Sequence, residues 1–265
     1  MKKGKVKDLI LATKDEAVDN FINSEALTDV LSSIAELVVS EGTATIIGEL
    51  LGSITPGVNG VMLSYKQRRF ERHVLKALET VSKRIDALEM NFSLLSNEMK
   101  DKFSGLYLEW LFDNMYEEKQ LDKVPYYVNG FINFMSDEAN DNLMLFFFNT
   151  ISELTQLDVD VLNLYSIEAN ENILSLCDKY NLEFEQITVI QEKLARLGLL
   201  QNKNDEYRDN NIDYIVDYLL KVDKDSKKRA PQGVKLSKSK ISKTKRSETF
   251  YITNLGKTYL RAISN

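Results

Sequence analysis

Apolar positions recur every three or four residues along most of the chain, starting with Val18, Phe21 and Ile22 and continuing through Leu27, Val30, Leu31, Ile34, Leu37 and Val38. This period predicts an amphipathic helix, or a broken pair, over 15–40, with Gly42 as its stop signal. The pattern changes over 42–65, which holds one charge, Glu49, and five glycines, with Thr55-Pro56-Gly57 at its middle. Two readings fit this hairpin. It can be buried, its glycines allowing close backbone approach. It can also be membrane-active, because Gly48 and Gly52 have the small-xxx-small spacing of membrane helix contacts. Each half is about ten residues against the roughly 20 that span a bilayer, which favours the core.

A regular heptad follows the cluster Lys66-Gln67-Arg68-Arg69. Val74, Leu78, Val81, Ile85, Leu88, Phe92, Leu95 and Met99 alternate four-three spacing without a miss. The spacing predicts one long helix over 70–100 with a narrow apolar seam, as in a coiled coil or a bundle. The seam residues Val74 to Leu95 are the candidate contact of a homodimer, although the same seam could meet its own chain. The Lys66–Arg69 cluster reads as a solvated helix start, or as a headgroup contact if the hairpin touches a membrane. From 103 to 150 aromatics are dense, and Leu106–Glu118 and Asp141–Glu153 read as helices with aromatics at core spacing.

The last third alternates short helices and strands. Leu157, Val161, Leu162 and Tyr165 predict the buried face of one helix. Ile173, Leu174 and Cys177 predict that of a second, over Asn170–Tyr180, and Ile187, Ile190, Leu194 and Leu197 that of a third, over Phe184–Leu197. Gly198 should end the third helix and admit a strand at Leu199–Lys203, paired with a second at Thr249–Thr253. Leu255, Tyr259 and Ile263 should pack a closing helix. An additional helix, Asn210–Val222, carries Ile212, Ile215, Val216, Leu219 and Leu220 on one side. The expected architecture is mainly α, with a helical domain over 1–150 and a second domain over 151–265.

Charge adds a feature that periodicity does not show. The net charge is −6, yet 224–246 holds ten Lys/Arg against one acid, Asp225. That segment is therefore +9 and the remainder −15. An acidic body suits neither nucleic acid nor an anionic membrane, whereas a local +9 suits both. The candidate contacts are Lys227, Lys228, Arg229, Lys235, Lys238, Lys240, Lys243, Lys245 and Arg246. Their partner is expected to be nucleic acid or protein. The segment lacks aromatics, so base stacking is absent, and its Ser/Lys composition predicts a mobile, solvated stretch.

Three short helices, a two-stranded wing and a final helix over 155–265 resemble the winged helix-turn-helix superfamily. The Leu197-Gly198-Leu199-Leu200 exit and the Ile252-Thr253-Asn254-Leu255-Gly256-Lys257 ending are similar to those of its bacterial members. The resemblance implies a third helix that reads the major groove. Here Glu183, Glu185 and Glu192 oppose only Lys193 and Arg196, and acids at the start of that helix would face phosphates. The whole layout also resembles the abortive-infection alpha-type proteins of bacteria and phages. That likeness rests on the glycine-rich stretch, on Lys66-Gln67-Arg68-Arg69-Phe70-Glu71-Arg72, and on 148–158. It implies a role in phage defence or phage–host conflict and transfers no catalytic residue.

No catalytic constellation is expected. The glycine spacings fit neither a P-loop nor a dinucleotide fingerprint. One histidine, His73, reads as a surface or interface residue, and one cysteine, Cys177, as a buried inert thiol. The acids Asp158/Asp160, Glu117/Glu118 and Asp137-Glu138 with Asp141 read as solvated carboxylates. Neither a metal nor a cofactor is implied. The apolar run Leu9–Ala12 is too short for a secretory signal, so cytoplasmic residence is expected. The function expected is non-enzymatic binding. The alternatives are a membrane-acting effector using 42–65 and a protein scaffold that binds no nucleic acid.

Overall fold

A computed structural model of the chain describes residues 40–53, 65–136, 140–166, 172–229, 233–237, 241 and 249–264. These are mainly helical with one small antiparallel two-stranded sheet. The chain divides into two compact units, one of residues 1–157 with 261–265 and one of 158–260. The division falls after Leu157, later than the boundary expected at 150/151.

The first unit begins with α1, Glu41–Gly52, started by the Ser40 hydroxyl, which accepts the Thr43 amide at 3.4 Å. Ile46, Ile47, Leu50 and Leu51 bury its apolar side. Gly42 is required by contact, since a Cβ there would overlap the Phe92 ring. The described half of the expected hairpin is therefore core. No described helix is long and apolar enough to cross a membrane. Residues 54–64 lie outside the described residues.

The heptad does not form one helix. It is divided into α2, Tyr65–Lys83, α3, Ile85–Leu94, and α4, Asn97–Ser104. At Arg84 the backbone leaves the helical region (φ −119°, ψ 21°). The Arg84 guanidinium reaches away to donate to Asn129 Oδ1 at 3.1 Å and Asn133 Oδ1 at 2.7 Å. Leu95 is extended, and Ser96 caps α4 by accepting the Met99 amide. The seam also meets its own chain. Val74, Leu78, Val81, Ile85, Leu88, Phe92 and Leu95 are all buried within this unit. They do not form a surface for a second copy, which corrects the homodimer contact expected there. A heptad fixes only which side of a helix is apolar; here α5, Leu106–Glu117, and α6, Val124–Phe134, lie in contact with α2.

Aromatic side chains close this core together with α7, Asp141–Glu153. Phe103 and Phe131 meet edge to face at 5.4 Å, and Phe134 and Phe147 at 5.0 Å. A Cβ at Gly130 would overlap the Phe147 ring, so α6 and α7 approach closely there. Residues 261–264 complete the unit. Asn129 Nδ2 donates to the Ile263 carbonyl at 2.9 Å, and Asn133 Nδ2 to that of Ala262 at 2.8 Å.

In the second unit come α8, Gln156–Asn163, whose first two residues belong to the first unit, then α9, Ile173–Tyr180, and α10, Phe184–Arg196. α9 ends on Asn181 in the left-handed region (φ 51°). Next come β1, Leu200–Asn202, a long α11, Lys203–Ser226, then β2, Phe250–Ile252, and α12, Asn254–Ile263. The strands pair Leu200 with Ile252, Gln201 with Tyr251 and Asn202 with Phe250. The turn from α10 into β1 uses Gly198 at φ +76°, a conformation that disfavours side chains. The additional helix is longer than the expected 210–222, because Asn202 caps it immediately after β1 by accepting the Asn204 amide at 2.9 Å.

The buried faces differ from expectation in α9 and in α12, where Leu255, expected to pack the closing helix, is exposed. On α9, Leu176 is the buried side chain, while Leu174 is exposed and Cys177 half-buried. Val161, Leu162, Ile187, Leu194 and Tyr259 are buried as their spacing predicts.

Candidate interaction surface

The start of α10 presents acids and apolar groups. Glu183, Glu185, Gln186 and Glu192 are exposed, and so are Phe184 at 56% and Val189 at 64%. Glu185, Val189, Glu192 and Arg196 follow helical spacing and share one outward face. Of the two cations late in α10, Lys193 is occupied. Its ammonium lies 2.6 Å from the carboxylate of Asp158, which is buried. Asp160 is engaged as well, accepting from Lys179 at 2.8 Å and from the Tyr180 hydroxyl at 2.7 Å. The carboxylates expected to be solvated are thus bonded groups that join α8 to α9 and α10.

The basic segment starts inside α11 and turns back along it. Asp225 is the anchor. Its buried carboxylate accepts from Lys228 Nζ at 2.9 Å and from the Gly233 amide at 2.7 Å. Further along, the Tyr218 hydroxyl donates to the Val234 carbonyl at 3.3 Å, and the Ser237 amide donates to the Tyr214 hydroxyl at 3.0 Å. Residues 233–237 therefore run antiparallel to α11, over the side carrying Tyr214, Tyr218 and Asp225. For 233–237 alone, these bonds hold to the helix a stretch that composition predicts to be mobile; 230–232, 238–240 and 242–248 lie outside the described residues. One acid and two tyrosine hydroxyls supply partners that a Ser/Lys-rich sequence alone does not reveal.

Of the nine candidate cations, four are described. Lys227 pairs with Asp223 at 2.6 Å and Lys228 with Asp225. Arg229 and Lys235 are exposed and make no ion pair with a described residue. Lys238, Lys240, Lys243, Lys245 and Arg246 lie outside the described residues.

The first unit holds the strongest buried polar groups, and their partners make them structural. Lys123 and Glu118 form an ion pair with side chains 3% and 6% exposed. Glu118 also accepts the Lys119 and Gln120 amides and the Tyr127 hydroxyl. Burial pushes the Glu118 carboxyl up. The Lys123 bond, the two amides and the Lys123 charge outweigh it, so the group sits below the ordinary glutamate value. Tyr127 is pushed well above the ordinary phenol value, first by burial and then by Glu118.

His73 is buried, not at the surface, and its Nδ1 donates to the Met115 carbonyl at 2.7 Å. Burial, with Arg69 and Arg72 nearby, holds its pKa below the ordinary value against the Met115 bond and Glu118. Among the described residues no group of three or more His, Cys, Asp or Glu could hold a metal. Asp137 and Glu138 lie outside the described residues; Asp141 accepts from Lys102 and from Tyr107.

No protein-family model, curated protein or solved structure matches the chain.

Proposed function

We propose that this is a non-enzymatic binding protein whose second unit is a winged-helix-type module that engages a protein partner. The observation that carries this reading is the outward face of α10. It presents Glu185, Val189 and Glu192 with Phe184 beside them and Arg196 at its far end, while Lys193 is held by Asp158. Acids repel phosphate and bare apolar groups offer it no hydrogen bond, so the face favours a partner that is apolar with cations at its rim. The strand pairing, the three preceding helices and the closing helix support the winged-helix reading. The wing is unusual in carrying α11 and the segment laid back on it.

Cell lysate treated with nuclease, passed over wild type and over Val189→Asp, tests the reading. A specific protein should be retained by wild type and lost with the variant. Retention that disappears with nuclease treatment, or that is unaffected by V189D, sinks it.

A second reading has its own observation. Arg229 and Lys235 are exposed, make no ion pair with a described residue and belong to a +9 segment, so the wing could hold an anionic partner such as duplex DNA. Fluorescence anisotropy with duplex DNA at low salt, on wild type and on a deletion of 224–246, separates the two. Binding that weakens with salt and is lost on deletion establishes the nucleic-acid reading; absence of binding in both leaves the protein reading.

A further inference from the structure

α11 is an acidic helix. Over Lys203–Ser226, seven carboxylates oppose Lys203, Arg208, Lys221 and Lys224, a net of 4 − 7 = −3. The chain past its end has the opposite sign. Residues 227–246 hold nine Lys/Arg and no acid, a net of +9. The described part of this basic stretch is bonded back to the helix. Asp225, 5% exposed, takes the Lys228 ammonium and the Gly233 amide. Tyr218 and Tyr214 fix Val234 and Ser237 further along, and Asp223 takes Lys227.

These contacts matter for any anion that meets the segment. An ammonium and a backbone amide converging on one carboxylate are the donors that bind a phosphate elsewhere in proteins. Here the chain's own Asp225 fills that position. A lysine already paired with an aspartate reaches a phosphate only by giving up the pair, which subtracts from the affinity that phosphate neutralisation supplies. Residues 233–237, with Lys235 among them, lie along a helix whose net charge repels phosphate.

We propose that this contact is autoinhibitory. The acidic α11 stands in for duplex DNA, and Asp225 is the carboxylate that holds the basic segment against it. DNA that takes the segment has to displace Asp225 from Lys228 and from the Gly233 amide. The inference rests on the nucleic-acid reading of the wing and adds its regulation. It does not involve the α10 face.

Fluorescence anisotropy with duplex DNA at low salt tests this on the full chain, comparing wild type with Asp225→Ala and Asp223→Ala. Each variant removes one negative charge and frees one lysine of the segment, Lys228 or Lys227. Only Asp225→Ala also releases the Gly233 amide. It should bind about tenfold tighter than Asp223→Ala, or more. Tyr214→Phe combined with Tyr218→Phe leaves the charge unchanged and removes the bonds to Ser237 and Val234. This double variant should bind about threefold tighter than wild type, or more. Far-UV circular dichroism checks that each variant folds; should Asp225→Ala not fold, the tyrosine pair decides alone. Equal affinities of D225A and D223A, or a tyrosine pair no tighter than wild type, overturn the inference and leave the wing a plain DNA-binding segment. Absence of binding in all four proteins sinks the nucleic-acid reading and the inference together.

Discussion

The Thr253 hydroxyl donates to the Gly198 carbonyl at 2.7 Å, a bond across 55 residues that joins the two ends of the strand pair. The same oxygen accepts the Gly256 amide at 2.9 Å and so caps α12. Gly256 fits beside it because a Cβ there would overlap the Leu199 carbonyl oxygen. The Leu-Gly-Leu-Leu exit and the Ile-Thr-Asn-Leu-Gly-Lys ending are therefore two halves of one joint. Thr253→Ala should destabilise the protein by about 1 kcal/mol through the lost cap, with Thr253→Ser retaining most of it. Gly256→Ala should cost about 1–3 kcal/mol by overpacking. Urea unfolding of the three variants checks the ranking.

His73 makes stability depend on pH. Its folded pKa lies below the ordinary value of 6.5, so the unfolded chain binds the proton more readily. Stability is then full above pH 6.5 and falls as pH drops below it, levelling once the folded group also protonates. His73→Asn keeps a donor for Met115 O and removes the titration. Unfolding free energies at pH 7.5 and 5.5 should differ less in the variant than in wild type.

The Glu118–Lys123 pair should respond asymmetrically to mutation. Lys123→Met leaves a buried carboxylate with a hydroxyl and two amides but no counter-charge, and should destabilise by about 3–5 kcal/mol. Lys123→Met with Glu118→Gln removes both charges and should lose less. Thermal denaturation of the single and double variants decides it; a double variant no more stable than the single would show that packing, not charge, dominates.

Asp225 should control the basic segment. Asp225→Asn removes a charged acceptor of the Gly233 amide, a bond of about 1.5–3 kcal/mol. The amide should exchange about tenfold faster or more, and trypsin should cleave sooner at Arg229 and Lys235. Hydrogen exchange read by mass spectrometry reports the first effect, and limited proteolysis the second.

Much of the helical content was legible because it depends on local periodicity. α5, α7 and α10 begin and end close to the limits that their spacing and stop signals mark. What periodicity could not supply is the identity of the opposing surface. The heptad reads the same whether its seam meets a second copy or the rest of its own unit. The break at Arg84 depends on Asn129 and Asn133, more than forty positions away. His73 and Asp158 are polar letters whose burial follows from the Met115 carbonyl and Lys193. On α9, Leu174 and Leu176 are both apolar, and only packing separates the exposed one from the buried one. The α10 surface was partly visible as acids in the sequence, but its exposed Phe184 and Val189 were not.

The amides of Asn129 and Asn133 take their carbonyl partners from residues 261–264, which the ribosome adds after the whole second unit. The earlier part of the chain emerges first yet must keep those donors solvated until the final turn of α12 appears. Vectorial synthesis therefore cannot finish the two units in their order along the chain. The first unit is begun first and completed last.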